Sequence, residues 1–250
     1  MALLQRDEYL THLRQDAAAL ADAARRQPDA AVAACPGWGV SQLLAHTGRV
    51  HRMARAVVAN GLSERPTSEQ IGKPPAEASA ILPWFEEGAA ALLSALQECD
   101  PEAPAWNFTG VDTTMGFWVR RQAHETSIHR WDGQSAAGAT TPIPSAVAVD
   151  GVDELFMLLG SQLPRVKPEA TTEGSIHLHA TDAEGEWTLR IDHGQVQVQT
   201  GHSKGDAAIR GTASDLNLLV WGRRNPLTEG GYELFGDTAV IERYVAIGAF

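Results

Sequence analysis

Apolar residues recur at helical spacing through the first two thirds of the chain and at alternate positions after that, and this change of period divides it. Leu3, Leu10, Leu13, Ala17 and Leu20 predict a helix over about 5–27, which Pro28 ends. After a loop with Pro36 and Gly37, a second helix opens near Ser41 and runs to Asn60, with Gly61 as its stop. Residues 62–75 hold three prolines and read as a loop. A third helix covers about 76–98, with an irregularity expected at Pro83, and Pro101 and Pro104 punctuate the next connection. Asp112 or Thr113 caps a fourth helix reaching about Asp132. Residues 133–145, rich in Gly, Ala, Ser, Thr and Pro, read as a flexible loop. A fifth helix fills about 145–162, followed by Pro164 and Pro168.

Beyond that point Ser175–Ala180, Glu186–Asp192 and Gln195–Thr200 alternate apolar and polar residues and read as strands. The turns between them contain Thr181–Gly185 and His193–Gly194. Ala207–Arg210 forms a fourth short strand, Thr212 or Ser214 caps a helix through Trp221, and a last helix covers about 238–247. The expected architecture is α followed by α+β: a helical part over 1–165 and a small α+β domain over 170–250.

Composition narrows the function. The chain has 250 residues, 44% hydrophobic and 20% charged, enough for packed cores. Its formal charge of −11 and lack of any Lys/Arg run argue against nucleic acid as a partner, because phosphate binding needs a dense cationic surface. No apolar run approaches membrane-spanning length, and the first residues break their apolar positions with charges, unlike a signal peptide. Two cysteines, Cys35 and Cys99, give no disulfide framework and no CxxC motif, so a reducing cytoplasm is the expected location. Nothing in the sequence fixes an oligomeric state.

The segment Gln122-Ala-His-Glu-Thr-Ser-Ile-His-Arg-Trp-Asp132 is the richest in chemistry. Glu125 and His129 are four apart, one helical turn, and lie on one face where both reach a single ion. A carboxylate and an imidazole on one bundle helix are a common start to a metal site. The same spacing also occurs on solvated faces, so the pair alone does not decide. A third ligand has to come from another helix, and His46, in an apolar-rich stretch of the second helix, leads. His124, rotated about 100° from Glu125, comes after His129. Gln122 shares the seam at three and seven residues' distance, and Asp132 is placed to orient a ligand from behind. Trp38 reads as a packing anchor and Cys35 as a small, half-buried residue. His177 and His179 share one face of a strand and read as a surface feature, for want of a third ligand nearby. His193 and His202 sit in turns and are given no role.

Two motifs carry a resemblance. Cys35-Pro-Gly-Trp-Gly-Val-Ser-Gln-Leu-Leu-Ala-His46, followed at a distance by His124-Glu-Thr-Ser-Ile-His-Arg-Trp-Asp132, resembles the mycothiol-dependent maleylpyruvate isomerase family, actinobacterial enzymes related to DinB-like metal-binding bundles. Ile209-Arg-Gly-Thr-Ala-Ser-Asp-Leu-Asn-Leu-Leu-Val-Trp-Gly-Arg223 resembles that family's sterol-carrier-like C-terminal domain. The likeness spans both domains; residues 60–110 carry little of it. It implies a DinB-like bundle of four to five helices, and by position it assigns His46, Glu125 and His129 as metal ligands.

The resemblance further implies zinc or another divalent metal, with mycothiol as the thiol cofactor. Two imidazoles and a carboxylate leave a coordination position open, as in catalytic sites, and an open cation favours a bound thiol as thiolate. The implied reaction is addition of that thiolate to an activated double bond or electrophile, giving maleylpyruvate-type cis–trans isomerisation or S-transfer. An anionic or electrophilic small substrate calls for cationic donors. Arg223 matches the C-terminal motif and is the expected catalytic arginine, with Arg224 its neighbour and rival. Arg49, three residues after His46, and Gln122 are the expected cofactor-binding residues. The competing reading is a metal-containing binding or regulatory protein without turnover, holding a small ligand in its C-terminal half. A metal-dependent hydrolase is weaker, because Glu125 as a ligand leaves no general base in the motif.

Overall fold

A computed structural model describes residues 4–162, 174–192 and 195–247. The chain forms two compact units, Met1–Thr141 and Pro142–Phe250.

The first unit is a helical bundle. Its long helices are α1 (Arg6–Arg26), α2 (Val40–Asn60), α4 (Ala78–Glu98) and α5 (Met115–Ala136), with the single-turn α3 (Ser68–Ile71) between. α1 packs on α5 and α4, and α2 on α4 and α5. Leu13, Leu20, Leu43, Leu44, Phe85, Leu92 and Leu96 fill the centre. The helices approach closely where side chains are absent. A Cβ on Gly133 of α5 would sit 2.6 Å from Leu20 Cδ1, and one on Gly48 of α2 would sit 2.6 Å from Trp84 Cζ3.

Local signals explain most boundaries. Gly61 ends α2 at φ 57°, where its N–H bonds back to Val57 and Val58, because a left-handed stop suits a residue without Cβ. α4 runs through Pro83 as one continuous helix, so the expected irregularity does not interrupt it. α5 begins after Thr114, not Asp112 or Thr113, and continues to Ala136. The first residues of the expected loop over 133–145 therefore prolong the helix. α3 escapes sequence periodicity because it is one turn long. It forms through a capping box in which Thr67 Oγ1 accepts from Gln70 N–H and Gln70 Oε1 accepts from Thr67 N–H.

The second unit begins with α6 (Ser145–Gln162), followed by β1 (Ser175–Ala180), β2 (Glu186–Asp192), β3 (Gln195–Thr200), β4 (Ala207–Gly211), α7 (Ala213–Val220), β5 (Tyr232–Gly236) and α8 (Thr238–Ile247). The sheet order is β3-β2-β1-β4-β5, with β1 and β4 parallel and the other pairs antiparallel. α6 packs on α7 and β3, so the division between the units falls at Thr141, ahead of the 165–170 boundary expected from sequence. The alternation of apolar and polar residues does not predict β5. It is a five-residue edge strand with Leu234 and Phe235 exposed, so it lacks the inward apolar row that marks a strand in sequence. The His193–Gly194 turn lies outside the described residues.

Ile176, Leu178, Leu189 and Ile209 point to one face of the sheet. There Phe156 of α6, Leu219 of α7 and Tyr244 of α8 close an apolar cavity of about 370 Å³. His177, His179 and Thr188 point to the other face, as the pleat requires. Among the described residues no helix is long and apolar enough to cross a membrane.

Candidate metal centre

α5 buries polar side chains around most of its circumference, among them Arg121, Gln122, His124, Thr126, His129, Arg130, Asp132 and Gln134. Buried polar groups are costly without partners, and most of these have them. Arg130 donates from Nε to Asp16 Oδ1 at 3.1 Å and from one terminal nitrogen to Gln134 Oε1 at 2.9 Å. Thr126 Oγ1 donates to Gln122 O at 2.7 Å and lies 2.9 Å from His51 Nε2 on α2. With its proton committed to Gln122, the hydroxyl accepts from His51 Nε2–H. Burial pushes the His51 pKa down to about 4 against the pull of Glu125, so this ring stays neutral.

On that scaffold three donors converge. Glu125 Oε1 lies 3.2 Å from His129 Nε2 and 3.5 Å from His46 Nε2. The ligand-capable atoms of His46, Glu125 and His129 all fall within 4.8 Å of one another. α5 supplies Glu125 and His129 from one face, and α2, packed against it, supplies His46. Trp38 packs at 5.1 Å between ring centroids against His46, whose side chain remains 40% exposed, so the centre is open on the His46 side.

The groups behind the donors fix their orientation. His129 Nδ1 lies 3.0 Å from Asp132 Oδ2, a buried carboxylate that accepts the Nδ1 proton and aims Nε2 at the centre. Arg121 donates to Glu125 Oε2 at 2.9 Å, which leaves Oε1 as the inward oxygen. Burial disfavours a charge on His129, but Glu125 and the Asp132 hydrogen bond outweigh it and raise its pKa to about 9. Burial likewise opposes the Glu125 carboxylate, yet His129, His46 and Arg121 hold its pKa well below the usual range. Two imidazoles and one ionised carboxylate, with His129 and Glu125 held from behind, suit a borderline divalent ion such as zinc.

The other expected residues separate. Gln122 is wholly buried on the same face of α5, and neither Nε2 nor Oε1 has a hydrogen-bond partner among the described residues. Arg49 is exposed on α2. His124 packs edge-on against Tyr9 of α1, 5.9 Å between centroids, outside the three-donor group. Arg223 belongs to the second unit, where it donates to Trp221 O at 2.7 Å and lines the apolar cavity. Arg224 is tied to Asp215, Glu229 and Gly230 O. Sequence reasoning missed Arg121 and His51. Arg121 stands four residues before Glu125, a spacing that could have flagged it; His51 depends on helix–helix contact and gave no such signal.

Comparison with known proteins agrees with this architecture. Residues 10–133 match the mycothiol maleylpyruvate isomerase N-terminal domain, and residues 146–243 match the C-terminal domain of the same family. A crystal structure of a mycothiol-dependent maleylpyruvate isomerase is similar at 16% identity and a TM-score of 0.63, covering 94% of this chain and 95% of that one. A histidine-to-alanine mutant of such an isomerase is similar over the same shares at 14% identity and a TM-score of 0.65. Sterol carrier protein 2 like 2 from Aedes aegypti is similar over 38% of this chain and 94% of its own, at 19% identity and a TM-score of 0.29. No curated protein matches the sequence. Matched in both domains, the chain belongs to the mycothiol-dependent maleylpyruvate isomerase family.

Proposed function

We propose that this protein is a mycothiol-dependent metalloenzyme that isomerises a maleylpyruvate-type double bond or transfers sulfur to a related electrophile. The observation that carries the reading is the convergence of His46 Nε2 and His129 Nε2 on Glu125 Oε1, with Asp132 behind His129. A divalent ion held there, zinc by donor chemistry, supplies Lewis acidity that favours the thiolate form of a thiol. His46, Glu125 and His129 hold the ion, and Asp132 and Arg121 keep His129 and Glu125 in register. The solvent-facing side near His46 admits the thiol and the substrate. Gln122, buried with an unused amide, is the group on the α5 face suited to hydrogen-bond a polar cofactor atom. Arg49 is the cation nearest in sequence to His46 for the outer part of the thiol. Arg223 is assigned to the substrate carboxylate or developing enolate, whose negative charge it stabilises.

In the isomerisation the thiol sulfur bonds to one carbon of a double bond conjugated to a carbonyl. The former double bond then rotates as a single bond, and departure of the thiol restores it in the other geometry. Atoms balance, with the thiol regenerated. Where another group leaves instead, the product keeps the sulfur. The test is metal content by mass spectrometry for the parent and His129→Ala, followed by conversion of maleylpyruvate with mycothiol. One metal equivalent tied to His129 and thiol-dependent turnover support the proposal; a protein that takes up no metal at this centre sinks it.

The apolar cavity of about 370 Å³ favours a second reading, a binding protein that keeps the metal and holds a small apolar ligand in its second unit. That reading gains if the metal-loaded protein binds apolar probes but turns over no thiol substrate.

A further inference from the structure

The sheet of the second unit gathers four side chains that are scattered in sequence. His177 and His179 stand two apart on β1 and share the face opposite the apolar cavity. The register sets His179 beside Glu186 of β2 and His177 beside Thr188, so Glu186 reaches both imidazoles. β3 ends with Thr200 beside Trp187, and the turn that follows is pinned by Gly201 N–H donating to Glu186 O at 2.9 Å. Gly201 has φ 93°, a conformation that favours glycine, and it delivers His202 over the same carboxylate.

The result is a second convergence of donors. Glu186 Oε2 lies 2.8 Å from His202 Nδ1 and 3.3 Å from His177 Nε2, and Glu186 Oε1 lies 3.3 Å from His179 Nδ1. The ligand-capable atoms of His177, Glu186 and His202 all fall within 4.8 Å of one another. We propose that His177, Glu186 and His202 form a second divalent-cation site, for zinc or a metal of similar softness, with His179 flanking it.

The buried member makes the case. His177 is only 6% exposed, and its Nδ1 lies 3.0 Å from Thr188 Oγ1. Its Nε2 is buried, faces the Glu186 carboxylate, and has no hydrogen-bond partner of acceptable geometry among the described residues. In the tautomer whose Nδ1–H donates to Thr188 Oγ1, the one a cation at Nε2 selects, Nε2 presents a lone pair to an anionic oxygen. Two such donors side by side repel unless a cation lies between them. Two imidazole nitrogens and one carboxylate favour zinc, cobalt, nickel or copper over magnesium or calcium, which prefer all-oxygen shells. His202, 84% exposed, closes the site from the solvent side and leaves room for water ligands. Arg210, beside His179 on β4, pairs with Glu233 at 2.9 Å, which offsets its charge next to the site.

The site rests on none of the residues of the bundle centre, so the two are separable. Full-length parent, His202→Ala, Glu186→Gln and His129→Ala proteins are dialysed against zinc chloride, and bound zinc is counted by mass spectrometry. His202→Ala and Glu186→Gln are each expected to lose one equivalent relative to the parent, while His129→Ala keeps the equivalent that His202 controls. The double variant His129→Ala/His202→Ala is expected to bind none. The exposed position of His202 makes its removal benign to folding, which an unchanged circular-dichroism melt in chelator verifies. If His202→Ala and Glu186→Gln both take up as much zinc as the parent, the proposal falls, and a shared proton holds the cluster instead.

Discussion

The two histidine–carboxylate clusters use the same donors in different settings. In the bundle, two of the three donors are held from behind: Asp132 holds His129 and Arg121 holds Glu125, while His46 packs on Trp38. On the sheet, Thr188 orients His177, but Glu186 is shared by three imidazoles and His202 stands in solvent. Orientation from behind lowers the cost of organising a metal site and sets its affinity. Of the two proposed metal sites, the bundle centre is therefore expected to be the tighter and the sheet site the more readily exchanged.

The largest expected effect tests the bundle centre. His129→Ala removes one of the three proposed ligands, and thiol-dependent turnover should fall by about 10³-fold or more, the scale of several kcal/mol of lost charge stabilisation. Turnover surviving in a metal-free His129→Ala protein would remove the distinction between the clusters. Next comes Asp132→Asn, which leaves all three ligands but weakens the acceptor behind His129. Metal affinity there should drop roughly 10–100-fold, measured by competition with a chromogenic chelator. The matching change on the sheet, Thr188→Val, should matter less for its site; an equal loss in both would erase the comparison.

A third prediction concerns protons. In the metal-free protein His129 carries a pKa of about 9, raised by Glu125 and Asp132 against burial, so it is protonated at neutral pH. Metal uptake displaces that proton. Calorimetric titration near pH 7 in buffers of different ionisation enthalpy should report release of about one proton per ion at the bundle centre, fading above pH 9. The same shift acts on folding. Because the folded pKa lies above the ordinary 6.5, the stabilisation is complete below pH 6.5 and is lost as pH rises through 9. Thermal melts in chelator should therefore decline across that window. The smallest effect is Gln122→Leu. Replacing an amide that is buried without partners among the described residues should raise metal-free stability by about 1 kcal/mol while weakening the proposed mycothiol binding. A stability loss instead would mean that the amide is already used structurally.

What the sequence made legible follows from range. The proximity of Glu125 and His129 was readable because one helix sets their spacing, and the bundle followed from apolar periodicity and helix stops. His46 was legible as a histidine in an apolar-rich stretch of α2, and it needed the motif to be joined to them. The sheet cluster was invisible: His177 and His179 read as surface because their partners, Glu186 and His202, arrive through strand register and a turn. β5 was missed because its apolar residues stay exposed, and α6 was counted with the wrong neighbours because its partners are tertiary.

The crowding around α5 has a consequence for the tolerance of the gene to change. A helix with one buried stripe, such as α1, accepts substitutions in a rhythm of 3.6 residues. α5 has almost no indifferent side, since nearly every position from Phe117 to Gln134 is enclosed and many enclosed groups are polar. In a saturation-mutagenesis profile it should appear as one unbroken block of intolerance rather than a stripe. Divergence among functional variants would then accumulate on the exposed faces of α1, α2 and α4 before it touched that helix.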